Sequence, residues 1–114
     1  MNPTSWAHGT EAHRIRLDEV ALLRAAHRPG PFPEVPWDEK LDLTYLDLNV
    51  AGCVSTYLGR GGVPGPGHPE ILRECLPELR AAVALLERSA EYREGLVAFR
   101  RLLAMAELII ADAA

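Results

Sequence analysis

Residues 69–86, PEILRECLPELRAAVALL, decide the fold. With each residue advancing about 100° around a helix, Ile71, Leu72, Cys75, Leu76, Leu79, Ala82, Val83 and Leu86 keep to one arc. That periodicity predicts a helix with one buried face. Pro69 suits its first turn, where a missing N–H costs nothing. Pro77 interrupts the stretch without breaking the phase and points away from the apolar arc. The carbonyl it leaves unpaired, that of Arg73, also faces outward, where water satisfies it. One bent helix is expected, not two.

Upstream lies Gly59 to His68, GRGGVPGPGH, with five glycines and two prolines. Neither helix nor strand survives such a run. It lacks the Gly-Lys-Ser/Thr ending of a phosphate-binding loop and follows no strand pattern, so it reads as a flexible connection. Before it, residues 38–58 form the most apolar segment. Asp42, Asn49 and Thr56 recur every seven residues as one polar stripe, while most other directions carry Leu, Val, Ala, Cys or Tyr. A central, nearly surrounded helix is expected, with Asp38 as N-cap and Glu39 in an acidic first turn.

Residues 10–28 give another amphipathic helix, entered at Thr10, with Ala12, Ile15, Val20, Leu22, Leu23 and Ala26 on the buried arc and Arg14, Asp18 and Arg24 outside it. Pro29, Pro31, Pro33 and Pro36 then impose an extended crossing, which Phe32, Val35 and Trp37 pin to the bundle. Downstream, Ser89 caps a fourth helix whose apolar arc runs through Tyr92, Leu96, Phe99, Leu102, Leu103, Ala106, Ile109 and Ile110, with Gly95 permitting close approach. The expectation is an all-α, antiparallel four-helix bundle forming a single domain over residues 10–113, with helices at about 10–28, 38–58, 69–88 and 90–112 and a flexible N-terminus at 1–9.

Composition supports this and removes several functions. The chain has 114 residues, 48% hydrophobic, 25% charged and 6% aromatic, matching one core without metals or disulfides. Its net charge of −4 and the absence of a basic stripe disfavour nucleic-acid binding. Eleven of the 12 basic residues are Arg and one is Lys40, a bias expected from GC-rich, bacterial-like coding sequence rather than from anion recognition. No secretory pattern opens the chain and no apolar run spans a bilayer, so a cytoplasmic protein without membrane contact is expected.

Chemistry-bearing residues are sparse, and no cofactor or metal is expected. Cys53 and Cys75 form no Cys-x-x-Cys pair, but each lies six residues from the break between its helices, which places them at similar height. In a reduced compartment they serve as small hydrophobes. His8, His13, His27 and His68 lack the i, i+4 spacing of a helical metal pair. Ser5, Ser55 and Ser89 sit in no nucleophile motif. Asp47 stands out because it projects from an apolar arc between Leu43, Ala51, Val54 and Leu58. A buried carboxylate must be paired, hydrogen-bonded or protonated, and counting heights through the hairpins brings Arg80 and Arg100 or Arg101 to its level.

Two functions follow as expectations. The first is a small protein-binding module of regulatory, adaptor or immunity type, with another protein as partner and Phe32, Trp37 and Tyr57 as surface anchors. The second is a small enzyme or ligand-binding bundle with a pocket around Asp47, Arg100 and Tyr45. Homodimerisation through the apolar turn Leu108 to Ile110 is a further possibility.

Overall fold

The computed structural model describes residues 3–28 and 42–113. They form a four-helix bundle: α1 (Pro3–Ala26), α2 (Leu43–Gly59), α3 (His68–Leu86) and α4 (Arg93–Ala113), the last preceded by a 3-10 turn at Ala90–Tyr92. There is no strand among the described residues. Interhelical bonds set the directions. His13 meets Gly61 and His27 meets Asp47, so α1 and α2 run antiparallel. His13 also meets Asp112 while Arg101 meets Ala26, so α1 and α4 are antiparallel too. The short turn between α3 and α4 completes an up-down-up-down bundle. The α2 and α4 helices touch across its middle.

Helix ends follow local chemistry. The capping role expected at Asp38 falls to Asp42, whose extended backbone lets its carboxylate accept the Tyr45 N–H at 2.9 Å. Asp38, Glu39 and the segment carrying Phe32, Val35 and Trp37 lie outside the described residues. Ser89 accepts the Glu91 N–H, and the chain spends one 3-10 turn before α4 becomes regular. At the other end of the molecule α1 begins at Pro3, not Thr10. Proline fits a first helical turn, and of the residues between there and Thr10 only Gly9 disfavours helix, by roughly 1 kcal/mol. The helix expected at 69–88 runs unbroken through Pro77, which is exposed as its phase requires.

Between α2 and α3 the backbone takes positive φ at Gly61, Gly62 and Gly67, with no other residue type in that region among those described. Three of the loop glycines therefore serve a conformation that side-chain-bearing residues resist.

Two buried faces differ from expectation. The α1 helix turns a different stripe to the core. Val20 and His27 are buried and His13, Arg16, Leu17 and Leu23 half-buried, whereas Ile15 and Leu22 are 54% and 72% exposed. Polar partners on α2 and α4 fix this rotation and outweigh the burial of two aliphatic side chains. Nor is α2 surrounded. Tyr45 and Leu48 stand on its exposed face, because α1, α3 and α4 cover only the side carrying Leu46, Val50 and Val54. At the C-terminus Ile109 is buried and Leu108 and Ile110 pack against the core, so this turn offers no large exposed apolar group.

Candidate functional site

Polar chemistry gathers at the two ends of the bundle, at the C-terminal end of α1 and beside its middle. At one end, Asp47 is buried as expected but not paired with arginine. Its Oδ1 accepts from His27 Nε2 at 2.7 Å, and the two side chains are only 4% and 1% exposed. His27 belongs to the last turn of α1, where its backbone N–H bonds to Leu23 and Arg24 carbonyls. Its Nδ1 has no partner among the described residues. Arg101 donates to the Ala26 carbonyl at 2.8 Å, satisfying an acceptor that the helix end leaves free. The residues expected to share a pocket with Asp47 do not converge on it. Arg100 is exposed and pairs with Glu87 at 3.1 Å, Arg80 is exposed, and Tyr45 points to solvent.

At the other end Asp112 in the last turn of α4 receives three donors. Its Oδ2 accepts from the Tyr57 hydroxyl and from His13 Nδ1, each at 2.6 Å, and its Oδ1 accepts from Arg16 at 3.1 Å. The other His13 nitrogen faces the Gly61 carbonyl at 3.2 Å. This cluster joins α1, α2, the glycine loop and α4. Burial pushes the Asp112 carboxyl up, but the hydrogen bonds from Tyr57, Arg16 and His13, with the His13 charge, outweigh it and hold its pKa below the usual carboxylate range. The Tyr57 phenol is driven well above its ordinary value, first by burial and then by the bond to Asp112 and its charge, with Arg16 opposing. Tyr57 is completely buried, so it cannot serve as the surface anchor expected of it. Asp112 escaped notice in the sequence because a carboxylate so near the end of a helix ordinarily faces water.

The accessible surface around α1 has a different character. An open groove of about 370 Å³ runs between α1 and α4, lined by Leu23, Ala104, Leu108 and Ala111 with Glu19 and Glu107 at its sides. Neither glutamate has an ion-pair partner among the described residues. Ile15 and Leu22 do not line it; they are exposed on the face of α1 that also carries Glu19, at the i, i+4, i+7 positions 15, 19 and 22.

The remaining candidates are structural. Cys53 and Cys75 are free, buried thiols. Burial pushes both pKa values up, and Glu78 and then Cys53 add to the effect at Cys75. No group of three or more His, Cys, Asp or Glu side chains among the described residues is arranged to hold a metal ion, and none of the described helices is long and apolar enough to cross a membrane. The chain matches no protein-family model, and no curated protein or solved structure is significantly similar to it.

Proposed function

We propose that this protein is a small protein-binding module, regulatory, adaptor or immunity-type, that works through a helix surface and not by catalysis. The observation that carries the reading is the pair Ile15 and Leu22, two large aliphatic side chains exposed on the face of α1 that shares Glu19 with the groove against α4. Apolar groups that a well-seated helix would otherwise bury are the usual anchors of an interface. The groove suits an amphipathic helix whose apolar side chains enter over Leu23 and Leu108 and whose basic residues meet Glu19 and Glu107. Asp47 weighs against the alternative of an interior ligand pocket, because its carboxylate is consumed by His27 and shielded from solvent.

The test compares the wild-type chain, Ile15→Ser/Leu22→Ser and Leu48→Ser, each used to capture partners from lysate of the source. The paired change lies on exposed positions, so stability should move by less than about 0.5 kcal/mol. Loss of two anchors should weaken partner binding by roughly 30-fold or more. Leu48→Ser, on the outer face of α2, should leave it intact. Equal capture by all three would refute the assignment of the surface to α1.

A further inference from the structure

Of the 17 buried side chains in the apolar core among the described residues, α1 supplies Val20 alone; α2 supplies six, and α3 and α4 five each. Leu17 and Leu23 only pack against its edge. Otherwise polar clasps at its C-terminal end and its middle seat α1. His27 bonds to Asp47 at the end, and His13 and Arg16 bond to Asp112 at mid-helix. Among the described residues α1 is thus held to α2 and α4 by these bonds and by packing against α4, with little of its own side-chain mass in the core. Local openings of low free energy are expected where few apolar contacts cross.

The seat has a distinct chemical signature. Asp47 and Asp112 are nearly buried carboxylates at its two ends, and the surface between them is apolar. An occupant must carry a donor for each carboxylate about 21 Å apart, the length of 14 helical residues, with a compact apolar residue midway. His13, Val20 and His27 meet that requirement at seven-residue spacing, and the same helix of a second copy meets it identically. The connection from α1 to α2, residues 27–42, is 16 residues long. That exceeds the two to eight usual between bundle helices and reaches about 50 Å when extended. We propose that α1 is an exchangeable helix: at high chain concentration α1 of one copy takes the seat on α2–α4 of another, giving an intertwined dimer that repeats the contacts of the monomer.

Two measurements on the full chain test this. Hydrogen exchange of the wild-type protein should show amides 11–26 of α1 exchanging about 100-fold or more faster than those of α3 and α4, through an opening that leaves the body protected. Equal protection in all four helices would overturn the proposal. The second mixes two variants, His27→Asp and Asp47→His. Alone, each places like groups against each other in its own seat. In an exchanged heterodimer one seat regains His27 against Asp47 and the other holds the reversed pair. Native mass spectrometry after mixing at millimolar concentration should show a heterodimer in several-fold excess over either homodimer. The wild-type chain should form its own dimer, and heavy-isotope and unlabelled copies should intermix only slowly. A dimer with no preference for the complementary pair would identify surface association and overturn exchange. So would a wild-type chain that stays monomeric. If the variants fail to fold, the wild-type exchange and dimer measurements still decide the matter.

Discussion

Replacing Asp47 by alanine gives the sharpest stability prediction. The substitution removes the acceptor 2.7 Å from His27 Nε2. The imidazole is only 1% exposed and its Nδ1 has no partner among the described residues, so Nε2 would lose its bond with no path to water. Removing one member of a buried pair costs about 3–5 kcal/mol, a large share of the roughly 5–15 kcal/mol that holds a domain together. With a urea dependence of about 1–3 kcal/mol per molar, the midpoint should fall by roughly 1–5 M. Asp47→Asn is the informative companion, because its side-chain carbonyl can still accept from Nε2–H. It should cost nearer 1 kcal/mol, the difference between a charged and a neutral acceptor. The double replacement His27→Leu/Asp47→Leu should recover much of the alanine loss by filling the space with apolar atoms. Urea melts followed by circular dichroism at 222 nm measure all of these. An alanine variant within about 0.5 kcal/mol of wild type, or single-variant losses that simply add in the double, would refute the pairing.

Other consequences follow from the opposite end of the bundle and from the loop. Asp112 has a depressed folded pKa, so its stabilisation is present above the unfolded carboxyl value and is lost as pH falls through the folded one. Asp112→Asn should therefore flatten the acid limb of a stability profile measured below about pH 4. Tyr57 is shifted the other way; its contribution is complete below about pH 10 and disappears above it. Tyr57→Phe should lose about 1.5–3 kcal/mol at neutral pH and be less sensitive to alkali, read from the same urea series. Gly62 has φ +93, and a Cβ there would lie 2.5 Å from the His13 ring. Gly62→Ala should cost about 1–3 kcal/mol, and His13→Ala should relieve part of that, a non-additivity visible in a thermal-melt cycle. Neither Cys53 nor Cys75 should react with iodoacetamide in the native protein, because both thiols are buried with raised pKa values. Rapid labelling before unfolding would contradict their placement.

The two C-terminal helices were readable because apolar burial alone sets their phase. In α3 every turn offers Leu72, Cys75, Leu79, Ala82 or Leu86 to the core, and Pro77 stays outside. In α1 the reading held for Ala12, Val20, Leu23 and Ala26 but not for Ile15 and Leu22, because hydrophobicity alone does not set the rotation there. His13, Arg16 and His27 face inward to meet Asp112 and Asp47, and this turns Ile15 and Leu22 outward. A trace was present in the even spacing of His13, Val20 and His27, but a histidine beside Pro29 reads as a helix end entering a linker. Asp47 was visible as a carboxylate in an apolar arc. Its partner was not, because counting heights selects arginines of α3 and α4, and height does not say which face a side chain occupies. Tyr57 shows the converse error. An aromatic next to a glycine loop reads as surface, yet its hydroxyl has a carboxylate to reach only once α4 is folded beside α2. The binding surface rests on Ile15 and Leu22, whose exposure follows from this same rotation.

Native mass spectrometry of the protein isolated from its source, before any exposure to denaturant, tests most directly whether it acts through a surface. The account predicts a second protein bound at defined stoichiometry and lost on Ile15→Ser/Leu22→Ser. A retained small molecule released only on unfolding, with no protein partner, would contradict it and return the function to the bundle interior.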